Sequence, residues 1–117
     1  MIENFGVGID IVYIPRFKKL PYKTNQKFYN KIFLKDEIDY CLNFKNSFEH
    51  FAGKFAIKES VKKSIVKKID FLDIKIQYEN SKPIVILKNK PCYKFIISVS
   101  HENNYATAIV ICEKVSS

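Results

Sequence analysis

The chain has 117 residues, enough for one domain with a modest core. Its formal net charge of +8 suits an acidic partner: nucleic acid, anionic lipid, a phosphorylated small molecule or an acidic protein. Hydrophobic residues make up 47% of the chain, which excludes a disordered polymer, and three cysteines without a C-x-x-C pair form no zinc pattern with the two separated histidines.

In chain order, FGVGIDIVYI alternates and is rich in β-branched residues, so a strand is expected, ended by Pro15. The N-terminal stretch carries an early acid, no basic leader region and an apolar run broken by Asp10. It reads as neither signal peptide nor spanning helix, so a cytoplasmic protein with reduced thiols and no membrane insertion is expected. RFKKL follows as a short basic helical turn, and Pro21 breaks the chain again. From Thr24 to about Asn43 the spacing is mostly helical, as two short helices joined near Lys35 or Asp36. A longer amphipathic helix is expected from about Ser47 to Val66, with Ser47 a candidate N-cap.

The second half changes period. FLDIKIQYEN alternates as a strand, SKP marks a turn and IVILK is a short strand. NKP is a second break. KFIISVS and NYATAIVICEK are two more strands, with Asn103-Asn104 as a tight-turn pair between them. Strand, helices, then several strands argue one α+β domain over residues 1–117 with a mostly antiparallel sheet.

Three residues fit poorly in a plain core. Asp10 is flanked by isoleucines, and a carboxylate in an apolar strand is expensive unless paired, hydrogen-bonded or bound to metal. It reads either as an edge-strand or salt-bridged acid, or as a ligand. Glu59 continues the stripe Phe48, Phe51, Ala52, Phe55 on the long helix, and Lys63 follows one turn later. A solvent-facing Glu59 paired with Lys63 is the simpler reading. Two carboxylates converging from a strand and a helix, with a lysine beside them, would instead suit Mg²⁺, waters and a phosphate. His101 ends a strand before a polar turn, where a histidine is either structural or part of a site.

Four segments, in order, resemble the holo-acyl-carrier-protein synthases. GVGIDIVYIPRF is similar to their G-x-D-I-x-x-I-x-R signature, and FAGKFAIKESVKKS to their F-x-A-K/R-x-A-x-K-E-A-x-x-K-A helix. SKPIVIL resembles their G-K-P strand with Ser81 in place of glycine, and ISVSHENNYATAIVI their C-terminal V-S-[IL]-[ST]-H segment. The resemblance implies the phosphopantetheinyl transferase fold and transfer of 4′-phosphopantetheine from coenzyme A to a serine of apo acyl carrier protein, releasing adenosine 3′,5′-bisphosphate. It implies Mg²⁺ held by Asp10 and Glu59. It casts Glu59, Lys63 and His101 as catalytic residues, and Lys54, Lys58, Lys63 and His101 as contacts to coenzyme A. It places acidic acyl carrier protein on Arg16, Lys27 and Lys31, with Leu20 and Phe28 as apolar anchors. It also implies a homotrimer with active sites between subunits.

The chain departs from that family after the helix. A glycine-rich F-G-T-G is usual there, whereas this chain has SIVKKIDF, and Ser60 and Ser64 replace alanines. Two other readings stand beside the enzyme. One is a basic RNA-binding module, which would need aromatic platforms interleaved with Arg and Lys; the strands are mostly aliphatic, so no nucleic-acid partner is expected. The other is a non-catalytic homologue that binds coenzyme A or carrier protein without transfer.

Overall fold

The computed structural model describes residues 4–89 and 92–115. The NKP break therefore falls partly outside the described residues, with Lys90 and Pro91. Strand β1, Phe5–Tyr13, is followed by three short helices and one long one: α1, Pro15–Lys18; α2, Gln26–Asn30; α3, Lys35–Leu42; and α4, Ser47–Ser64. Strands β2, Ile74–Glu79, and β3, Lys82–Leu87, form a hairpin, and β4, Tyr93–Glu102, and β5, Tyr105–Lys114, form another. The first hairpin is a two-stranded sheet, and β1-β5-β4 is a three-stranded one. Every pairing is antiparallel, as the sequence pattern predicts.

Period-2 alternation sorts β1 into two faces. Gly8 and Val12 are buried against α4, and Gly6 and Asp10 share that face half-buried, whereas Val7, Ile9 and Ile11 on the other face are more than 60% exposed. The two glycines let a backbone approach that a side chain forbids. A Cβ on Gly8 would lie 1.8 Å from the Ser60 carbonyl oxygen, and one on Gly6 would lie 1.9 Å from that of Ser64. The serines on α4 are small enough for the same approach: the Ser60 hydroxyl donates to the Ala108 carbonyl on β5 at 3.1 Å, and the Ser64 hydroxyl donates within its own helix to Val61.

Helix α4 is not the one-sided amphipathic helix expected. Phe51, Ala52, Ala56, Ile57 and Val61 are buried, and so are Lys54, Lys58, Ser60 and Ser64 around them. The three-stranded sheet lies on one side, and α1, α3 and β2 lie on others. A second correction concerns its ends. Asn46, not Ser47, takes the N-cap position, no side chain caps the helix, and Ile65 is already extended, so the helix stops two residues early. Ile65 buries its side chain while Val66 stands in solvent.

An aromatic cluster closes the end near α1 and α2. Phe17 packs edge-on to Tyr29 and Phe55, and Phe51 lies 4.6 Å from the Tyr29 ring and 5.2 Å from Phe33. The Tyr29 hydroxyl donates to the Leu20 carbonyl. Tight turns close the hairpins. Asn80 and Ser81 adopt φ of 52° and 66°, so Ser81 stands in a left-handed conformation that glycine would accept more easily. Asn103, in the expected Asn103-Asn104 turn, has φ 53°.

The β1–α4 approach makes a direct prediction. Gly8→Ala should lower stability by about 3 kcal/mol or more, since the methyl meets backbone that cannot turn aside. A denaturant midpoint equal to that of the parent chain would show that strand and helix are not this close.

Candidate functional site

Asp10 lies at the middle of β1, opposite Ala108 of β5, on the face turned to α4. Its carboxylate is partly screened and accepts from the Lys63 ammonium at 3.1 Å; Lys63 also donates to the Ile9 carbonyl at 3.1 Å. Both side chains face a cleft of about 330 Å³ whose other walls are Ile9, Ile11 and Thr107. Glu59 is half-buried, one helical turn before Lys63 on α4. Strand and helix thus bring Asp10 and Lys63 together, while Glu59 stands on the same helix and is not among the residues that wall the cleft. The Lys63 pair is with Asp10 rather than with Glu59.

A second cleft, of about 280 Å³, lies farther back along α4. Lys54, His50, His101, Tyr40, Tyr78 and Ser81 are among its lining residues. Lys54 is 2% exposed, yet among the described residues no carboxylate lies within ion-pair distance of its ammonium. It lies 4.6 Å from the Tyr40 ring centroid and 4.4 Å from that of Tyr78, and donates to the Tyr78 hydroxyl at 3.3 Å. The two rings stack at 4.8 Å. Burial holds the Lys54 ammonium below the ordinary lysine value, despite Cys41 and Glu37 nearby. Burial likewise pulls His50 down, against the pull of Glu49. His101 packs on Gly53, where an added Cβ would lie 3.3 Å from its Nε2. The cleft thus offers an incompletely neutralised cation, two imidazoles and aromatic faces, a set suited to an anionic ligand with a planar ring.

The expected site residues therefore fall into two groups. Asp10 and Lys63 share one cleft, with Glu59 one turn away on α4, and Lys54 and His101 share the other. Lys63 follows Lys54 by nine positions, roughly 14 Å of helix. The resemblance had put Lys54 among the contacts to coenzyme A and His101 among both those contacts and the catalytic residues.

Lys58 belongs to neither, and the expectation that it contacts coenzyme A is corrected. Its side chain is fully buried and its ammonium donates to Glu37 Oε1 at 2.6 Å, to the Ile32 carbonyl at 2.9 Å and to the Phe71 carbonyl at 3.2 Å. An ammonium has three donors, and all are taken. Sequence reasoning also missed Glu37, Tyr40, His50 and Tyr78. The signal available was two lysines one turn apart in an otherwise small and apolar helix, which demands partners from elsewhere.

Around α1 and α2, Arg16, Lys27 and Lys31 are exposed, and Leu20 is 37% exposed. Phe28 is half-buried against Phe17 and Tyr29, so it presents an edge rather than a free ring. The Arg16 guanidinium lies 5.6 Å over the Phe55 ring. Phe55 is one turn before Glu59, so this basic face adjoins the acid. Among the described residues, no helix is long and apolar enough to cross a membrane.

The family model described as the 4′-phosphopantetheinyl transferase superfamily matches residues 6–110. The holo-[acyl-carrier-protein] synthase of Thermodesulfovibrio yellowstonii is 40% identical over 116 residues, covering 95% of this chain and 98% of the relative. That of a Geobacillus species is 41% identical over 118 residues, covering 95% and 98%. In three dimensions the chain is similar to a holo-(acyl-carrier-protein) synthase from Bacillus anthracis in complex with CoA (3′,5′-ADP), with a TM-score of 0.80 and 30% identity over 95% of this chain and 96% of that one. It is also similar to the holo-[acyl-carrier-protein] synthase of Helicobacter pylori in complex with coenzyme A, with a TM-score of 0.76 and 32% identity over 92% and 99%.

Proposed function

This chain belongs to the 4′-phosphopantetheinyl transferase superfamily, and we infer that it is a holo-[acyl-carrier-protein] synthase. It transfers 4′-phosphopantetheine from coenzyme A to a serine hydroxyl of apo acyl carrier protein and releases adenosine 3′,5′-bisphosphate. The observation that carries the reading is the Asp10–Lys63 pair at 3.1 Å beside a cleft and one turn from Glu59, in a chain whose relatives are such synthases. The whole chain serves as one transferase domain, in the cytoplasm.

Asp10 and Glu59 would offer hard oxygen donors, and among the described residues no three acids, histidines or cysteines cluster as a metal site. That donor set fits Mg²⁺, which is commonly held by one or two carboxylates, waters and substrate phosphates. When bound, the ion supplies charge neutralisation at the pyrophosphate. Phosphoryl transfer otherwise asks for positioning and electrostatic support. Lys63 supplies a cation beside Asp10 that can follow charge onto a phosphate oxygen and give a proton to the departing phosphate. Glu59 orients or deprotonates the attacking serine hydroxyl. Lys54 and His101 hold the nucleotide half of coenzyme A, with the Tyr40 and Tyr78 rings behind them. Arg16, Lys27 and Lys31, with Leu20 and the edge of Phe28, receive the acidic carrier protein; such complementarity chiefly speeds encounter and is screened by salt.

The separation of the two clefts supports an active site completed between subunits of a homotrimer. Val7, Ile9, Ile11 and Ile96 are 61–71% exposed on the outer face of the three-stranded sheet, beside the Asp10 cleft. An aliphatic face this open is rarely left bare by a monomer. A second copy on that face would wall the Asp10 cleft.

Three outcomes are expected. Intact-mass spectrometry of apo acyl carrier protein, incubated with the chain and coenzyme A, should show one added phosphopantetheine with Mg²⁺ and none with EDTA. Glu59→Gln should cut that transfer by at least about a hundredfold while circular dichroism stays unchanged. Coenzyme A binding without transfer by the parent chain would mark a non-catalytic homologue, and near-parental turnover by folded Glu59→Gln would refute the acid's role.

Affinity for adenosine 3′,5′-bisphosphate should depend on Lys54 in its charged form. Because burial lowers the Lys54 value, affinity should begin to fall on the acid side of 10.5 as pH rises. Lys54→Met should bind roughly tenfold weaker and lose that alkaline decline. A decline that persists unchanged in the variant would assign it elsewhere.

Sedimentation should give a species of three chains of 13.7 kDa each, and Ile9→Lys should dissociate it. A monomer at micromolar concentration in the parent chain would rule out the trimer.

A further inference from the structure

We propose that the buried Lys58–Glu37 ion pair is a positioning pair that sets the Lys54 cleft, and through it the affinity for the nucleotide half of coenzyme A. The inference rests on the coenzyme A reading above. Neither residue reaches a substrate: the two side chains are 0% and 1% exposed. Burying a single ion pair does not by itself stabilise a protein over apolar packing of the same volume. What such a pair does well is fix one geometry, because each charge has fixed demands.

Those demands are fully met here. Lys58 binds Glu37 and the carbonyls of Ile32 and Phe71. Glu37 Oε1 also accepts from the Leu34 amide at 2.8 Å, and Oε2 from the Ile76 amide at 2.8 Å. The pair thus ties α4 to the chain after α2, to the start of α3, to the turn before β2 and to β2 itself.

The cage around Lys54 repeats the same three elements one step on. Lys54 is one turn before Lys58 on α4. Tyr40 is one turn after Glu37 on α3. Tyr78 is two residues after Ile76 on β2, so it shares a face with it. The distances from the Lys54 ammonium to both rings, 4.6 and 4.4 Å, depend on how α3 and β2 stand against α4. Only the ion pair joins all three elements through charged hydrogen bonds among the described residues. An ammonium caged by rings, with little hydrogen bonding of its own, relies on such support to stay aimed at its ligand.

The test is calorimetric binding of adenosine 3′,5′-bisphosphate. Lys58→Met alone leaves a buried acid without its cation and is destabilising, so the double variant Glu37→Gln with Lys58→Met is made alongside it. The folded double variant should bind roughly tenfold weaker, within the usual range for coupled sites. Its KM for coenzyme A should rise more than its kcat falls. Placed in a Lys54→Met background, the same double change should add little, because the cage is already lost. Parental affinity in the folded double variant, or full additivity with Lys54→Met, would overturn the proposal.

The unaltered chain gives an independent check. Nucleotide binding should slow hydrogen exchange at the Leu34 and Ile76 amides more than at the β1–β5 ladder, since coupling is reciprocal. Equal slowing at both places would also overturn the proposal, even if neither variant folds. An unaltered chain that does not bind the nucleotide would instead refute the coenzyme A reading, and with it the premise.

Discussion

The structure depends on how closely β1 approaches α4. Gly8 has no room for a Cβ against the Ser60 carbonyl, and Gly6 none against Ser64. With both positions reduced to backbone, the strand lies on the helix, and the next inward position, Asp10, is carried to within reach of Lys63. The same alternation throws Val7, Ile9 and Ile11 outward. One short pattern, small-small-acid-valine inward and aliphatic outward, thus builds the acidic cleft and the apolar face beside it. A larger inward residue would separate the helix from the strand and part Asp10 from Lys63 before it changed any chemistry.

Helix α4 then has to face several neighbours at once. That explains why its lysines have such different fates. Lys63 is half-exposed at the cleft mouth, Lys54 is enclosed by two rings, and Lys58 is consumed by Glu37 and two carbonyls. Burial decides which charge is free to act: the exposed pair at Asp10 can exchange partners, whereas removing one partner of the buried pair leaves a charge with nowhere to go. The net charge of +8 therefore describes the surface around α1 and α2 well and the interior of α4 poorly.

Much of this was legible in the sequence because it is local. Strand alternation, proline breaks and the paired-asparagine turn gave β1, the two C-terminal hairpin strands and the short helices near their observed positions. The approach of Lys63 to Asp10 was legible too, since one strand and one helical stripe suffice for it. What was not legible depends on contacts distant in sequence. Nothing near Lys58 announces Glu37, which is 21 residues away, and nothing near Lys54 announces Tyr78, which is 24 away. A stripe of phenylalanines suggested one buried face on α4, whereas burial on most sides follows from the packed sheet, α1, α3 and β2, which no window along the helix contains. The N-cap failed for a smaller reason: Ser47 was a good capping residue by type, but the chain enters the helix through Asn46 without using a side chain.

The two clefts also suggest why a chain this short would assemble. The Asp10 and Lys54 clefts are pinned to one rigid helix, roughly 14 Å apart along it, so neither can move toward the other. A substrate that joins a nucleotide to a pyrophosphate could bridge them within a chain only along the surface of α4, open to water. On the proposed assembly, a second copy on the aliphatic sheet face would cover one side of the Asp10 cleft and exclude water where charge develops, which strengthens every electrostatic contact there. A chain of 117 residues has too little core to build such walls from its own insertions. On that proposal, the exposed isoleucines would let copies supply such walls to one another, and the face that would make a monomer sticky would become part of the site.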